Sequence, residues 1–556
     1  MALSNAPYPL YDVPSISDMR SFIEGLGTRF GSRTAFMYTD SEGNECSHTF
    51  TEFADHVFAL ATEFIERGWQ KTTIAVIGEN NYQWVIAYYA TIISGNIVVP
   101  LDRDLSTQEI VFLLGNCQAK VLVHTGRYSS LRDQLQSEVP SLQFFVDMGE
   151  RDSALRDMVA AGTLLRAAQD CRVEQVHYDV QECAAILYTS GTTGVSKGVM
   201  LSQRNFLADT AQTLKNIELN GTTLLVLPLH HSFSMMAVIY CTLHSGCTVA
   251  INSSLKNLNE DLLRYKPDFL FLVPMIVEAL YKRLLIQMRR LGREQWFNEV
   301  CTHVDALYQC DVDVRDPIFK TIREALGGNL KLIVSGGAAL DPVYIDRYFT
   351  LGIDVRNGYG ITECSPVVSV NRNNHHRRDS IGQPVPGMDI MILDPNELGE
   401  GEICVKGDIV MLGYYNNPEA TDAAFIDGWF RTGDIGTLED GFLAISGRMK
   451  NIIILSNGKN IYPEELELHI SNVAGVKEVL VYGQKGVITA EIFPDQEYLA
   501  EQGIENAQDY LQHSIDAINE TLPRHKKIVM LKVRGTPFLR TSSNKIVRSQ
   551  VQEPTE

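Results

Sequence analysis

Short apolar runs typical of buried strands alternate with helical patterns through much of this chain. Predicted strands at residues 73–78, 96–100 and 119–124 are separated by predicted helices at 82–94 and 108–116. Parallel strands covered by helices on both faces give this alternation, whereas antiparallel sheets usually alternate apolar with polar residues. The sequence therefore predicts an α/β fold that contains a parallel sheet.

Length and composition narrow the class of protein. A chain of 556 residues is too long for one core and predicts two to four units. The formal net charge of −20 argues against a nucleic-acid partner, because phosphate backbones bind to basic surfaces. Ten scattered cysteines form no C-x-x-C pair, and neither a secretory leader nor a long apolar run is evident. We expect a soluble, cytoplasmic protein.

Residues 188–198 combine glycines, hydroxyl side chains and one lysine between predicted strands at 184–188 and 199–201. Glycines let backbone N–H groups approach an anion, hydroxyls donate hydrogen bonds, and lysine supplies positive charge. The spacing is not that of the common P-loop. A solvated Gly/Ser/Thr linker is the alternative, but the flanking strands and the lysine favour a phosphate-binding loop.

These residues resemble the signature of the adenylate-forming (AMP-binding) superfamily, which includes acyl-CoA synthetases, peptide-synthetase adenylation domains and firefly luciferase. The match departs at Ser196, where the family usually has proline. The resemblance implies that the loop binds the phosphates of ATP through Thr189, Ser190, Gly191, Thr192, Thr193, Gly194 and Lys197.

Two further glycine-rich turns follow predicted strands, at residues 336–340 and 357–363. Ligands of open parallel sheets bind at the carboxyl ends of strands, although most such turns are only turns. The resemblance makes Tyr359 the aromatic residue that stacks on adenine, and it makes Glu363, together with Thr189, the ligands of Mg²⁺. It implies further nucleotide contacts for Gly336, Gly337, Ala338, Asn357, Gly358, Gly360 and Thr362.

Adjacent histidines at 230 and 231 precede an apolar run. A metal site is disfavoured because no carboxylate or cysteine accompanies them, and packing is the ordinary alternative. The resemblance instead implies that His231 lies beside the substrate carboxylate and the α-phosphate, and that residues 233–240 line the acyl pocket. The absence of aspartate from this run argues against an amino-acid substrate.

The resemblance also assigns roles near the C-terminus. Asp434 would bind the ribose hydroxyls, with Arg448 close by, and Lys450 would be the hinge. Gly458 would line the route of the thiol, and Lys545 would be the catalytic lysine. Asn544 stands where the family has glycine, and asparagine tolerates the left-handed backbone that such a turn requires.

The predicted architecture follows from these assignments. Residues 1–447 form a large adenylation domain of layered parallel sheets, flanking helices and a small β-barrel-like subdomain at 381–434. Residues 448–451 are the hinge, and 452–556 form a small mobile α+β lid with helices at 463–473 and 506–520. Residues 127–178 show no clear pattern. Thr51 is the expected N-cap of a helix that begins near residue 50.

Three segments resemble the long-chain branch of the acyl-CoA synthetases, at 78–102, 273–281 and 456–467. We interpret the first as core alone. The resemblance predicts ATP-dependent activation of a medium to long fatty acid to acyl-AMP, followed by thioester formation with coenzyme A. The alternatives are transfer to acyl carrier protein, an enzyme that stops at acyl-AMP, and a binding protein without catalysis.

A basic helix predicted at 281–293 is unusual in an acidic chain. Such a helix can make weak peripheral contact with anionic lipid at the inner face of the membrane, although a solvated face is the commoner explanation. The sequence leaves a monomer and a homodimer equally open.

Overall fold

A computed structural model describes residues 10–149, 153–189, 196–455, 460–484, 486–540 and 546–548. The described residues fall into two compact units. The first comprises Met1–Asp389 with Val405–Phe430, and the second comprises Ile390–Cys404 with Arg431–Glu556. The hinge expected at residues 448–451 lies within the second unit and stays a prediction.

The β-strands of the described residues are β1 (Thr34–Thr39), β2 (Glu45–Thr49), β3 (Thr73–Ile77), β4 (Ile97–Leu101), β5 (Val121–His124), β6 (Phe144–Asp147), β7 (Cys183–Thr189), β8 (Lys197–Ser202), β9 (Thr222–Leu225), β10 (Thr248–Ile251), β11 (Phe269–Leu272), β12 (Leu332–Ser335), β13 (Asp354–Gly360), β14 (Val367–Val370), β15 (Gln383–Pro384), β16 (Asp389–Leu393), β17 (Gly401–Lys406), β18 (Gly413–Tyr414), β19 (Phe425–Ile426), β20 (Trp429–Glu439), β21 (Phe442–Arg448), β22 (Ile453–Ile454), β23 (Asn460–Ile461), β24 (Val476–Gln484), β25 (Val487–Pro494) and β26 (Met530–Val533).

The α-helices of the same residues are α1 (Met19–Phe30), α2 (Phe50–Glu66), α3 (Tyr82–Ile93), α4 (Thr107–Asn116), α5 (Arg132–Glu138), α6 (Ala154–Ala167), α7 (Gln203–Asn216), α8 (Thr242–His244), α9 (Leu258–Tyr265), α10 (Pro274–Arg290), α11 (Glu294–Gln309), α12 (Arg315–Glu324), α13 (Pro342–Thr350), α14 (Pro418–Ala423), α15 (Pro463–Ser471), α16 (Gln496–Glu501) and α17 (Ala507–Thr521).

The first unit contains two large sheets. One has nine strands in the order β15-β14-β13-β12-β11-β9-β10-β1-β2, and the other has seven in the order β18-β8-β7-β4-β3-β5-β6. Most central pairs are parallel, whereas β8, β14 and the outermost β2, β15 and β18 pair antiparallel. The predicted layered α/β architecture is confirmed, with antiparallel strands added towards the sheet edges.

Each sheet is buried because its strands are apolar on both faces. In the nine-stranded sheet, Leu270 and Ile333 are fully buried and pack in one cluster with Val277 and Phe297 of the covering helices. Parallel strands that helices cover on both sides have to be continuously hydrophobic. The buried runs that predicted these strands are therefore also the reason that the strands form.

Helices α2 and α4 begin where a side chain caps the first turn. The N-cap of α2 is Thr49, whose side chain accepts from the N–H of Glu52 while the Glu52 carboxylate accepts from the N–H of Thr49. The expectation that Thr51 caps this helix was wrong, because Thr49 has the extended backbone and the glutamate three residues later that a capping box requires. Ser106 and Glu109 cap α4 in the same way.

The stretch without a clear pattern contains regular structure. A 3₁₀ turn at Gly126–Leu131 is followed by α5, β6 and α6. Helix α6 packs closely on α2 at Gly162, where an added Cβ would lie 1.9 Å from the carbonyl oxygen of Ala59. The contact at Gly162 is made by the backbone, so this position adds no apolar side chain to the sequence pattern of α6.

The second unit has a sheet in which β17 lies between β16 and β20 and β21 pairs with β20, and a separate three-stranded sheet in the order β24-β25-β26. Ile470 of α15 and Leu511 and Ile515 of α17 belong to the same buried cluster as Val481 and Ile492 of the three-stranded sheet. The predicted α+β character of the C-terminal part is confirmed. Among the described residues, no helix combines the length and the apolarity needed to cross a bilayer.

Close packing at Gly162 gives a stability prediction. Gly162→Ala should lower the stability of the first unit by about 1–3 kcal/mol, because the new methyl group displaces α6 from α2. Gly25→Ala on α1 is the matched control, since nothing lies within 4 Å of the added Cβ there. It should raise stability by about 0.5–1 kcal/mol through helix propensity. Scanning calorimetry of both variants measures the difference, and an unchanged transition in Gly162→Ala would contradict the described packing.

Candidate active site

The two ends of the predicted phosphate loop lie side by side. Thr189 is the last residue of β7 and Lys197 is the first residue of β8, and the two are paired across the antiparallel strands. The Thr189 hydroxyl donates to the carbonyl oxygen of Lys197 at 3.5 Å. The predicted loop contacts Ser190, Gly191, Thr192, Thr193 and Gly194 lie outside the described residues. The paired strands hold a hydroxyl and an ammonium group at the mouth of that loop.

Glu363 follows β13 in a 3₁₀ turn, Thr362–Cys364. Its carboxylate oxygen Oε1 accepts a hydrogen bond from the hydroxyl of Tyr414 at 2.9 Å. The ammonium nitrogen of Lys197 lies 4.8 Å from the centroid of the same tyrosine ring. Burial, and next the charge of Glu363, raises the pKa of Tyr414 well above its ordinary value, so the hydroxyl stays a donor. Tyr414 thus contacts both charged groups predicted for the phosphate site.

Sequence reasoning missed Tyr414. It belongs to β18, which pairs with β8 so that Tyr414 lies opposite Val199. The sequence around it, Gly413-Tyr414-Tyr415-Asn416-Asn417, indicated only a short strand and a turn, and nothing local shows that residue 414 contacts residue 363. Only the strand pairing brings the two together.

The histidine segment lies beside the turn that carries Glu363. The hydroxyls of Ser232 and Thr362 are 3.2 Å apart, and the N–H of His231 donates to the carbonyl oxygen of Pro228 at 3.2 Å. The rings of His230 and His231 are in contact, with centroids 4.1 Å apart. The structure therefore brings Thr362 close to Ser232, the residue after His231, and the predicted roles of His231 and Thr362 stay predictions.

His230 is a buried neutral imidazole. Its Nε2 lies 3.5 Å from a carboxylate oxygen of Asp102. Burial, and then the neighbouring His231, lowers the pKa of His230 to about 3, against the opposing influence of Asp102. A neutral ring contributes shape to this corner of the site but no positive charge.

Asn80 fixes the backbone just before these histidines. Its side-chain N–H donates to the carbonyl oxygen of Leu227 at 2.9 Å, and its Oδ1 accepts from the N–H of Leu229 at 2.9 Å. The interpretation of residues 78–102 as core alone was therefore incomplete. The signal that could have revealed this role is a polar Glu-Asn-Asn run at the carboxyl end of β3, where parallel sheets place their sites.

The two glycine-rich turns emerge at one edge of the nine-stranded sheet, because β12 and β13 are parallel neighbours. Gly337 has φ of +82°, which favours glycine, and an added Cβ at Gly336 would lie 3.1 Å from the ring of Phe233. Ala338 follows directly. The ring of Phe233 packs against Gly336, so a larger side chain would not fit there, and the predicted contacts of this turn with the nucleotide stay predictions.

Asn357 carries a group suited to adenine. Its Nδ2 donates to the carbonyl oxygen of Ser380 at 3.4 Å, whereas its Oδ1 is buried without a hydrogen-bond partner in the described part of the chain. A buried acceptor without a partner costs free energy, and an exocyclic amino group would satisfy it. The predicted adenine-stacking residue, Tyr359, is buried two positions further along β13.

Gly358 and Gly360 let β13 approach its neighbour β14. An added Cβ at Gly360 would lie 2.0 Å from the carbonyl oxygen of Pro366, and one at Gly358 would lie 3.4 Å from that of Ser369. These glycines are required by strand packing. Their predicted role as direct nucleotide contacts stays a prediction.

The second unit holds the predicted ribose residues. Asp434 and Arg448 are paired across β20 and β21, and the guanidinium Nε of Arg448 lies 2.9 Å from the Asp434 carboxylate. Asp434 is 2% exposed, whereas the Arg448 side chain is 44% exposed. Lys450 lies in an exposed 3₁₀ turn, Met449–Asn451.

Gly458 and Lys545, the predicted thiol-route glycine and catalytic lysine, lie outside the described residues. Arg548, three positions after the lysine, donates to the carbonyl oxygen of Val481 at 3.2 Å and forms an ion pair with Glu467. Burial raises the pKa of the Glu467 carboxyl to about 7, although Arg548 opposes the rise. The chain just after the predicted lysine is thus anchored to the three-stranded sheet.

The oxygen donors of Thr189 and Glu363 fit Mg²⁺. This ion commonly takes one or two carboxylates from the protein and completes its shell with water and phosphate oxygens. Among the residues that the structure describes, no three His, Cys, Asp or Glu side chains form a closed metal cluster. A single carboxylate held by a neutral hydroxyl suits a hard ion that arrives with a nucleotide.

Comparison with known proteins places this geometry in a family. Residues 25–415 match the family model of the AMP-binding enzymes, and residues 450–554 match that of the AMP-binding enzyme C-terminal domain. The long-chain-fatty-acid–CoA ligase FadD15 of Mycobacterium bovis is 32% identical over 472 residues, which cover 81% of this chain and 77% of that protein.

A long-chain-fatty-acid–[acyl-carrier-protein] ligase of Arabidopsis thaliana, AEE15, is 26% identical over 531 residues, which cover 80% of this chain and 71% of that protein. Among solved structures, that of the anthranilate CoA ligase AuaEII with anthranoyl-AMP has a TM-score of 0.77 at 19% identity and covers 97% of both chains. The fold is shared, and the family match extends over most of the sequence. This chain belongs to the AMP-binding enzyme family.

Proposed function

We propose that the protein is an AMP-forming acid–thiol ligase, which activates a medium to long fatty acid with ATP and transfers the acyl group to coenzyme A. The observation that carries the proposal is the arrangement of Thr189, Lys197 and Glu363 at the strand ends of the first unit. The substrate class comes from the relatives, because FadD15 is a long-chain-fatty-acid–CoA ligase.

In the first step, a carboxylate oxygen of the fatty acid attacks the α-phosphorus of ATP. The bond from that phosphorus to the oxygen bridging the β-phosphate breaks, and pyrophosphate leaves. No general base is required, since the acid is already ionised. Catalysis is therefore positioning and stabilisation of charge on phosphate oxygens. In this proposal Lys197 and the loop bind the outer phosphates, and Lys545 would bridge the carboxylate and the α-phosphate.

Mg²⁺, which Thr189 and Glu363 would hold, supplies positive charge that offsets the charge on the phosphates. His231 would lie beside the carboxylate and the α-phosphate and orient the acid, and Thr362 would contact the α-phosphate. Asn357 accepts from the adenine amino group, Tyr359 stacks on the ring, and Asp434 accepts from the ribose hydroxyls.

In the second step, the thiolate of coenzyme A attacks the acyl carbonyl, and AMP leaves with the former carboxylate oxygen. Two half-reactions that share one site require a conformational step between them. We place the hinge at residues 448–451, between an adenylation domain at 1–447 and a lid at 452–556. Rotation there withdraws Lys545 and brings in the Gly458 turn.

An apolar wall supports a fatty acid over an amino acid. Ser234–Cys241 forms a π-helix in which every residue is buried, and it contains no carboxylate that could pair with a substrate amine. π-Helical turns are rare and are often associated with functional sites.

A carrier protein is the alternative acceptor, supported by the similarity to AEE15, which is an acyl-carrier-protein ligase. Release of free acyl-AMP is a second alternative. A protein that binds nucleotide without catalysis is the most remote alternative. The residues that the family resemblance assigns to the reaction are all present: Thr189, Glu363, Asp434, Arg448 and Lys545.

Pyrophosphate release with ATP, Mg²⁺ and straight-chain acids from acetate to stearate tests the proposal. We expect release to favour the longer acids and to turn over only with coenzyme A. Lys545→Ala should lower its rate by about 10²–10³-fold, the usual effect of removing a group that stabilises transition-state charge. Lys477→Ala, an exposed lysine of the same unit, is the control and should leave the rate unchanged.

A single burst that coenzyme A does not extend would indicate a carrier protein as the acceptor. Release of orthophosphate instead of pyrophosphate, or no release with any acid, would contradict the proposed ligase.

We also propose weak contact of helix α10 with anionic lipid, from which a fatty acid would be taken. The helix begins at Pro274, earlier than the basic stretch suggested, and ends at Arg290. Arg283 and Arg290 share its exposed face with Ile286, which is 48% exposed. Trp296 and Leu291 nearby are 47% and 57% exposed. Basic residues interspersed with exposed apolar ones suit the headgroup region.

Sedimentation with phosphatidylglycerol and phosphatidylcholine vesicles tests this contact. We expect preference for the anionic vesicles and a partition coefficient roughly 30-fold lower for Arg283→Ala/Arg290→Ala, at about 1 kcal/mol per basic residue. The control Lys256→Ala/Lys477→Ala removes the same charge elsewhere. Equal sedimentation of the wild-type protein with both vesicles would rule the contact out.

A further inference from the structure

Tyr414 is the one side chain of the site for which the described structure shows contact with both a phosphate-loop cation and the proposed metal carboxylate. Its hydroxyl donates to Glu363 Oε1 at 2.9 Å, and its ring lies beneath the ammonium group of Lys197 at 4.8 Å. We infer that Tyr414 is a positioning residue for the MgATP complex, which orients the Glu363 carboxylate towards Mg²⁺ and the Lys197 ammonium group towards phosphate. This inference rests on the proposed function.

The tyrosine is itself held from several sides. Its N–H donates to the Thr421 hydroxyl at 2.9 Å, and its strand pairs with β8, which begins at Lys197. The N–H of Met411 donates to the carbonyl oxygen of Glu363 at 2.8 Å, so the strand segment contacts both the backbone and the carboxylate of the glutamate. Tyr414 is 9% exposed. A side chain held rigidly in this way can fix the positions of the Glu363 carboxylate and the Lys197 ammonium group that it contacts.

The two contacts have separable chemistry. The hydroxyl bond orients a carboxylate, and a bond to a charged group is stronger than one between neutral groups. The ring contact is an attraction between a cation and the π face, which needs the aromatic ring but no hydroxyl. Tyr414→Phe therefore removes only the orientation of Glu363, whereas Tyr414→Leu removes both effects.

Binding of ATP to the full-length protein, without any fatty acid, tests the inference independently of turnover. Calorimetric titrations are run in EDTA and at increasing Mg²⁺ concentration. For Tyr414→Phe we expect unchanged binding in EDTA and a roughly tenfold rise in the Mg²⁺ concentration that half-maximally enhances binding. Tyr414→Leu should in addition weaken binding in EDTA by about threefold.

Two further variants separate positioning from a general structural effect. Tyr415→Phe makes the same change at the next residue and should leave the Mg²⁺ dependence as in the wild type. In a Glu363→Gln background, Tyr414→Phe should cause no further shift, because the carboxylate that it orients is already gone; the double-mutant cycle measures this coupling. Thermal unfolding of each variant shows whether it is folded.

Superimposable Mg²⁺ curves for the wild type and Tyr414→Phe would overturn the inference. So would equal weakening in EDTA and in Mg²⁺, an additive effect in the Glu363→Gln background, or a wild-type protein whose ATP binding does not respond to Mg²⁺. A wild type that shows the expected Mg²⁺ response but releases no pyrophosphate with any acid would contradict the proposed function alone.

Discussion

The hydrogen bond from Tyr414 to Glu363 links two parts of the chain on which the candidate site depends. An acidic protein that binds a polyphosphate must present a cation and a metal-binding carboxylate close together without letting them neutralise each other. In this fold, one neutral aromatic side chain contacts both, through its hydroxyl and through its ring. Each charge then has a fixed partner and can still interact with ligand, which is what preorganised electrostatic stabilisation requires.

The architecture explains why these groups meet. Strands β12 and β13 are parallel neighbours, so their glycine-rich turns emerge at one edge, and Glu363 lies just beyond the second. In the seven-stranded sheet, β7 and β8 place Thr189 beside Lys197. Strand β18 forms one edge of that sheet and carries Tyr414. The site therefore combines residues from both large sheets of the first unit, with rigid strands behind each functional side chain.

Much of this fold could be predicted from the sequence, because the signals for single helices and strands lie within short stretches of the chain. Strands β3 and β4 were predicted within one residue of their observed bounds, because a buried strand between helices is a short, wholly apolar run. Helices α15 and α17 were predicted within two residues at each end. The order of strands in the two sheets could not be predicted, since it depends on pairings between residues far apart in the chain. Tyr414 and Asn80 were missed for that reason, as each contacts a segment more than 50 residues away.

In the proposed reaction, a carboxylate oxygen of the substrate attacks the α-phosphorus of ATP at this site. Turnover of a fatty acid labelled with oxygen-18 in its carboxyl group, followed by mass spectrometry of the products, tests this most directly. Attack by the carboxylate should leave one labelled oxygen in AMP, the other in the thioester, and none in pyrophosphate. Label in orthophosphate, or AMP without label, would show that the acid is activated in another way.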